Sequence, residues 1–378
     1  MNIIVLGSGL VGSVIAADLA AEEGFSVTVA DIDGVTLDKL AERCKVTTLK
    51  VDLSETTRVG KLVAGFDLVV SAVPGFLGHQ TLKSVIGAGK NVVDITFAAE
   101  DFLQLDVFAK EKGVTAVCDF GVAPGMSNLL SAYLAGKLDK AEKIAIYVGG
   151  LPKVRQWPFE YKAVFSPSDL VEEYTRPARF VINGQQVVKP ALTDLEIINF
   201  DRIGSLEAFN SDGLRSLLTT LEVPDMVEKT LRYPGHIHKV ELLRDAGFLS
   251  EEPITINGQK VRPVDLTAKL LFPKLDLEKG EQDITVMRVE AIGEKDGRKM
   301  RLRFDLFDSY DTVTGVHSMG RTTGYAATMA VRILAEGKFT KPGIIAPEML
   351  APDENLVQFI LKGLGKKGIV YKYSEIAV

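Results

Sequence analysis

The feature that most constrains this chain is the run Gly7-Ser8-Gly9-Leu10-Val11-Gly12. It follows a short apolar segment, Asn2–Leu6, and opens a stretch in which Val11, Ile15 and Leu19 recur at helical spacing. Strand, glycine turn and amphipathic helix in that order predict the first unit of a Rossmann domain. Gly7 permits the tight turn, Gly9 lets the backbone approach a pyrophosphate, and Gly12 lets helix and strand pack closely. The helix N-terminus offers unpaired N–H groups and a positive dipole end to the phosphates. Gly7, Ser8, Gly9, Leu10, Val11 and Gly12 are therefore candidate cofactor contacts.

The next strand ends in a second signal. Asp31 closes the segment Ser26–Ala30, 19 residues beyond Gly12. A carboxylate there accepts hydrogen bonds from ribose hydroxyls and repels a 2′-phosphate, so NAD is expected rather than NADP. Ile32 adjoins it, and Asp33 can share its task. Asp52 follows a third strand, Val46–Val51, and either lies near the adenine or caps a helix. Ser71-Ala72-Val73-Pro74-Gly75 ends a fourth strand, Leu68–Ala72. In doubly wound sheets ligands lie beyond the carboxyl ends of the strands, so Ala72, Val73 and Pro74 should run beside the nicotinamide ribose. Asp94 and Asp119 sit at or near the ends of Asn91–Ile95 and Val114–Cys118, which places both by the reacting ring. Pro124 follows in the link to a second domain.

The pattern changes near residue 120. Alternating β and α units imply a parallel sheet before it. Beyond it, Arg179–Ile182 and Gln185–Val188 flank Asn183-Gly184, a type I′ hairpin signature. Ile284–Ile292 and Lys299–Phe307 flank a turn at Asp296-Gly297. In the latter strand Met300, Leu302, Phe304 and Leu306 alternate with Arg301, Arg303 and Asp305, as in an antiparallel sheet with one solvated face. The expected fold is α/β: a Rossmann domain, residues 1–120 plus 321–378, into which an α+β substrate domain with an antiparallel sheet, residues 121–320, is inserted. Ser166-Pro167-Ser168-Asp169 reads as a helix start, with the helix ending before Pro177. Thr322–Ala335 reads as another helix.

Composition narrows the class. The chain has 378 residues, 46% hydrophobic and 25% charged, with net charge −6 and pI about 5.5. Nucleic acid and anionic membrane both need clustered Lys and Arg, so neither is expected as the main partner. No run reaches the ~18 apolar residues of a membrane span, and no signal peptide is visible. Two cysteines, Cys44 and Cys118, fit a reduced, cytoplasmic protein. No metal is expected, because the four histidines lack zinc-like spacing. His236 and His238 are read as sharing one strand face.

Further along stand Asp119-Phe120-Gly121-Val122-Ala123-Pro124-Gly125-Met126-Ser127-Asn128, Gly149-Gly150-Leu151-Pro152, Tyr161-Lys162, Arg232-Tyr233-Pro234-Gly235-His236 and Thr323-Gly324-Tyr325. At these residues the chain resembles the saccharopine dehydrogenase family of the glutamate-forming type. Pro74–Gly78, Glu172–Arg179 and Ser211–Ser216 carry a likeness to its lysine 6-dehydrogenase branch. The resemblance implies hydride transfer from the ε-carbon of L-lysine to NAD, with the resulting imine hydrolysed to ammonia and an aldehyde that cyclises. It also implies subunit association, as a homodimer or homotetramer, with residues 121–320 serving as the dimerisation domain. Two departures set the chain apart from saccharopine-processing members: a helical segment is missing, and Ser168 stands where they place an arginine suited to an extra carboxylate.

The lysine ε-ammonium has a reference pKa near ~10.4 and must lose a proton before hydride leaves. A carboxylate by the nicotinamide can accept it. Asp119 is the first candidate and Asp94 the second, although either can instead cap a turn. The α-carboxylate calls for an arginine or a helix N-terminus, which points to Arg232 and to the helix start at Ser166. Tyr161, Lys162 and His236 are further candidates to line the pocket. Arg176, Arg179 and Cys118 read as structural. The alternatives are a reductase or dehydrogenase of saccharopine or a related secondary amine, and a NAD-binding regulator without turnover.

Overall fold

Six short runs, most of them rich in Val and Ile, form the strands β1 (Asn2–Leu6), β2 (Ser26–Asp31), β3 (Thr47–Lys50), β4 (Leu68–Ser71), β5 (Asn91–Asp94) and β6 (Thr115–Val117). The helices α1 (Gly12–Ala20), α2 (Gly34–Arg43), α3 (Thr56–Val63), α4 (Gly75–Gly87) and α5 (Asp106–Glu111) connect them. Nearly every residue of β1, β4 and β5 is buried, as expected of parallel strands covered on both faces. The order β3-β2-β1-β4-β5-β6 is fully parallel and reverses direction between β1 and β4. That reversal creates the crevice in which such sheets hold ligands. Ile4, Leu6, Val69, Val92 and Ala116 carry the core from strand to strand.

The computed structural model describes residues 1–163, 167–278 and 280–378. They divide into two units, the first comprising Met1–Asp139, Arg215–Leu221 and Gly320–Tyr371, and the second Lys140–Leu214, Glu222–Met319 and Lys372–Val378. α6 (Met126–Ala135) completes the N-terminal portion of the first.

The second unit is built on a mixed sheet. Its strands are β7 (Lys140–Pro152), β8 (Ala178–Ile182), β9 (Gln185–Lys189), β10 (Glu196–Phe200), β11 (Gly204–Asn210) and β12 (Asp225–Arg232). α7 (Pro167–Thr175) precedes β8, and its expected cap Ser166 lies outside the described residues. The short helix α8 (Leu217–Thr220) belongs to the first unit. α9 (His236–Asp245), the hairpin β13 (Ile254–Ile256) and β14 (Gln259–Val261), and α10 (Pro263–Leu275) follow. β15 (Asp283–Lys295) and β16 (Arg298–Ser309) form a long hairpin in which Val289 pairs Phe304. The sheet order is β10-β11-β12-β7-β15-β16, with β8 on β12 and β9 on β8. Both predicted turns have the left-handed backbone they need, with φ of 50° and 75° at Asn183-Gly184 and 51° and 70° at Asp296-Gly297.

The chain then returns to the first unit through α11 (Ser318–Ala335), β17 (Gly343–Ile345) and α12 (Glu354–Lys366). β17 extends the parallel sheet beyond β6. Gly324 of α11 lets the helix approach α1, since a Cβ there would lie 3.2 Å from Val14. Buried Asp18 of α1 fixes α11 by accepting from Thr328 Oγ1 at 2.7 Å and Arg332 at 3.0 Å.

Two features differ from expectation. β18 (Tyr371–Ala377) was expected with the first domain, but it pairs with β16 at the edge of the second sheet, where Phe304 and Tyr373 pack at 5.2 Å between ring centroids. An open edge with an apolar face supplies both ladder partners and burial. His236 and His238 do not lie on a strand. They open α9, where residues two apart point roughly 200° from each other; His236 is buried and the His238 side chain is 68% exposed.

Candidate active site

In the first unit the glycine loop crosses the end of β1 at the point where strand order reverses. Gly7 has φ of 102°, and a Cβ there would lie 2.5 Å from the Ala72 carbonyl oxygen. A Cβ on Gly12 would lie 2.2 Å from Gly7 O, whereas one on Gly9 would meet nothing within 4 Å. Gly7 and Gly12 are thus glycine for internal packing, and Gly9 leaves open space above the loop. This is the cradle a pyrophosphate requires. Leu10 and Ile32 are exposed large apolar residues, at 54% and 62%. Ala72 is half-buried, Val73 is buried and Pro74 caps α4.

Asp31 stands beside this loop. Its Oδ2 accepts from Ser8 N at 2.6 Å and Ser8 Oγ at 2.9 Å, and its Oδ1 accepts from Asp33 N at 2.9 Å. A carboxylate has about four lone-pair sites, so capacity remains for ribose hydroxyls. Asp33 is committed to the first turn of α2, where it accepts from Val35 N at 2.9 Å. Asp52 accepts from Ser54 N at 2.9 Å and caps an exposed turn; this hydrogen bond holds its carboxyl below the usual range. Lys50 pairs with Asp31 in the β2–β3 register, and its Nζ lies 3.6 Å from where a Cβ on Gly34 would be.

One acid closes β5 and a second follows β6. Asp94 is buried, in register with Ser71 on β4. Its Oδ2 accepts from Thr96 Oγ1 at 2.7 Å, and its Oδ1 has no hydrogen-bond partner among the described residues. Burial pushes its pKa up to about 7, against the Thr96 hydrogen bond and the neighbouring Ser71 hydroxyl and with help from the Asp119 charge. Asp119, with φ of 53°, is also buried. Its Oδ2 accepts from Arg215 Nε at 2.8 Å. Arg215 donates a further hydrogen bond to Ala98 O at 2.7 Å, and its guanidinium stands 4.9 Å from the Phe97 ring centroid. Phe120 N donates to Asp94 O at 3.3 Å, tying the two acid-bearing segments together. Pro124 O accepts from Gly121 N in the tight link that follows. Cys118 is buried and its thiol pKa is raised well above normal, chiefly by burial, in keeping with packing.

Arg215 is the residue that sequence reasoning missed here. The motif Ser211–Ser216 was noticed, but nothing in it says that its arginine meets an acid 96 positions away. Glu348 was missed as well. It is buried, its Oε1 accepts from Thr220 Oγ1, and its carboxyl pKa is raised by burial.

The second unit gathers Tyr161, Arg232 and His236 but gives them partners of their own. Arg232 is 1% exposed and donates to Glu173 Oε2 at 2.6 Å and to Tyr161 OH at 3.3 Å. Its guanidinium stacks on Tyr161, 4.2 Å from the ring centroid. Its Nε is buried without a partner among the described residues. His236 Nδ1 lies 2.8 Å from Phe159 O and its Nε2 lies 2.8 Å from Tyr174 OH. A carbonyl can only accept, so Nδ1 carries the hydrogen and Tyr174 donates to Nε2. Burial and the Arg232 charge push the His236 pKa down to about 3, so the ring is neutral. Lys162 is held elsewhere, by Glu281 Oε2 at 3.2 Å and Asp276 O at 2.9 Å. Ser166 lies outside the described residues. Arg176 pairs with Glu172 and Arg179 with Asp212.

A doubly wound parallel sheet, a glycine loop at its switch point and an acid closing β2 define a dinucleotide-binding dehydrogenase fold. Residues 3–117 match the Saccharopine dehydrogenase NADP binding domain, and residues 121–369 the Saccharopine dehydrogenase C-terminal domain. The chain belongs to the saccharopine dehydrogenase family of oxidoreductases. It is 22% identical to the mitochondrial alpha-aminoadipic semialdehyde synthase of Bos taurus, over 98% of this chain and 47% of that protein, so it spans about half of that relative's length. It is 23% identical to the saccharopine dehydrogenase [NADP(+), L-glutamate-forming] of Saccharomyces cerevisiae, over 100% of this chain and 99% of the yeast one. That alignment runs over 448 positions against 378 residues here, so the yeast protein carries segments this chain lacks. The apo yeast enzyme matches in structure with a TM-score of 0.82 at 21% identity, covering all of both chains. Among the described residues no helix is long and apolar enough to cross a membrane, and no cluster of three or more His, Cys, Asp or Glu residues suits a metal ion.

Proposed function

We propose that this chain uses NAD to oxidise the ε-amine of L-lysine to aminoadipate semialdehyde, which closes to a cyclic imine. The observation that carries the reading is Asp94: a buried carboxylate with one unpartnered oxygen and a pKa of about 7, at the carboxyl edge of the sheet. Such a group can take a proton near neutral pH and return it, which amine oxidation needs. Asp119 is held by Arg215, so of the two acids expected from the sequence Asp94 is the better proton acceptor, and Asp119 serves to position it. A bound nicotinamide would supply the hydride acceptor for the amine-bearing carbon. Asp94 removes the ammonium proton beforehand, and water then hydrolyses the imine to ammonia and the aldehyde. Asp31 would hold the ribose, and the Gly7–Gly12 backbone the pyrophosphate. Tyr161, Arg232 and His236 remain candidates for the substrate, with Arg232 meeting its carboxylate only if Glu173 yields. A homo-oligomeric state belongs to the same proposal and is read by size-exclusion chromatography with light scattering.

A second reading has its own support. Lys50 beside α2 suits a 2′-phosphate, and the yeast relative is named as an NADP enzyme acting on saccharopine. The test is purified protein with NAD or NADP and with L-lysine or saccharopine at alkaline pH. The proposal expects lysine-dependent NADH formation with kcat/KM at least tenfold above that with NADP or with saccharopine. Turnover of saccharopine alone would replace it with the second reading.

A further inference from the structure

Within the second unit a line of four oxygens runs from the interior to a partly exposed carboxylate. Glu228 of β12 is 4% exposed. Its Oε2 lies 2.7 Å from Ser211 Oγ, Ser211 Oγ lies 2.8 Å from Thr230 Oγ1, and Thr230 Oγ1 lies 2.7 Å from Glu173 Oε1. Glu173 Oε2 in turn accepts from Arg232. Gly213 is part of the construction: its N donates to Glu228 Oε2 at 3.1 Å, and a Cβ on it would lie 2.4 Å from the Glu228 carboxyl carbon.

Three contacts of hydrogen-bond length need three hydrogens. A hydroxyl has one hydrogen and an ionised carboxylate has none. With both carboxylates ionised, Ser211 spends its hydrogen on Glu228 and Thr230 spends its own on Glu173. The 2.8 Å contact between the two hydroxyls is then left with none. One added proton satisfies every contact. Placed on Glu228, it lets Glu228 donate to Ser211, Ser211 to Thr230 and Thr230 to Glu173. Placed on Glu173, it reverses all three bonds and satisfies them equally.

We propose that Glu228 and Glu173 hold one proton between them, carried through the Ser211 and Thr230 hydroxyls, and that its position sets how far Glu173 compensates the charge of Arg232. Transfer is balanced: Glu228 O–H breaks as Ser211 accepts, Ser211 passes its hydrogen to Thr230, and Thr230 passes its own to Glu173. Glu228 ends as a carboxylate and Glu173 as a neutral acid. Arg232, 2.6 Å from Glu173, favours an ionised Glu173, so the proton rests on Glu228. The other groups facing the line are Tyr161 and Tyr174, both neutral, neutral His236, and Asp212, whose charge is held by Arg179 at 2.7 Å. Lys229, adjacent on β12, is turned to Glu196 and to Asp194 O. Burial, partly offset by the Ser211 hydrogen bond, pushes Glu228 up to about 8. Neither the substrate nor the choice of cofactor enters this argument.

Infrared difference spectra of the full chain between pH 6 and pH 10, referenced to Glu228→Gln, test it. The amide of Glu228→Gln can still donate to Ser211, so the fold is kept while the titrating proton is removed. The expected result is a neutral-carboxyl band in the parent that is missing from Glu228→Gln and titrates near pH 8, apart from the signals of Asp94 and Glu348. Thr230→Val removes the hydroxyl–hydroxyl contact that needs the added proton, so an ionised Glu228 leaves no contact without a hydrogen; proton affinity should fall about tenfold and the midpoint should drop by about one unit. A parent spectrum that superimposes on Glu228→Gln overturns the proposal. So does a Thr230→Val midpoint unchanged from the parent. Should Glu228→Gln fail to fold, the comparison of parent with Thr230→Val decides alone.

Discussion

Arg215 Nε lies 2.8 Å from Asp119 Oδ2, joining the excursion Arg215–Leu221 to the end of β6 inside the first unit. Both side chains are almost fully buried, at 4% and 1%. Removing one partner of a buried pair leaves the other charge uncompensated and costs about 3–5 kcal/mol. Arg215→Met is therefore expected to lower thermal stability by that order in calorimetry. Asp119→Asn should also destabilise the chain, while reducing turnover less than the corresponding change at Asp94. A larger loss of turnover for Asp119→Asn would make Asp119 the proton acceptor.

Asp94→Asn removes the titrating group and keeps its shape. Loss of a positioned acid–base residue lowers the rate by about 10²–10⁴. The expected outcome is a drop in kcat of that order with dinucleotide affinity unchanged. In the parent, the base form accumulates as pH rises through about 7, so kcat/KM should rise through that pH. A pH–rate limb near 7 that persists in residual Asp94→Asn activity would assign it to another group.

The same group has a stability signature. Asp94 is raised from 3.8 to about 7 on folding, so the folded chain binds a proton there that the unfolded chain has released. The stabilisation is complete below pH about 4 and is lost as pH rises through about 7. Its full size is of order 4 kcal/mol. The advantage of the parent over Asp94→Asn should shrink across this window and level off above it. A stability difference independent of pH would place the Asp94 pKa near its ordinary value.

Gly9 and Gly12 should separate binding from folding. A Cβ at Gly12 would press on Gly7 O at 2.2 Å, while one at Gly9 enters open space. Gly12→Ala is expected to lower the melting temperature of the cofactor-free chain by several degrees. Gly9→Ala should leave that temperature unchanged and weaken NAD binding by tenfold or more in calorimetric titration. NAD affinity retained in Gly9→Ala would move the pyrophosphate away from this loop.

Asp31 and Lys50, paired in register at neighbouring strand ends, test the proposed cofactor choice. Asp31→Ser should narrow the proposed preference for NAD by removing the repulsion of a 2′-phosphate. Lys50→Glu should depress NADP kinetics more than NAD kinetics. Equal or better kinetics of the unmutated chain with NADP would overturn the reading of Asp31.

The sequence by itself determined the parallel strands and first helices of the Rossmann unit and the two hairpins of the second unit. The glycine loop, the Val-rich strands and the Asn183-Gly184 and Asp296-Gly297 turns each depend on residues a few positions apart, and period and turn chemistry read such distances directly. It also placed Asp31 and Asp94 at strand ends, because a parallel sheet puts such positions at one edge. Tertiary structure decided what those residues meet. It took β18 to an edge it could pair with, moved His236 from an expected strand to the first turn of α9, and set Arg232 against Glu173. It matched Arg215 to Asp119 and Glu228 to Ser211, Thr230 and Glu173. These outcomes depend on burial and on partners tens of residues away, and burial both shifts a carboxylate's pKa and makes a charged partner necessary. No local pattern records that, since a charge on a strand end reads the same whether it will face water or the interior.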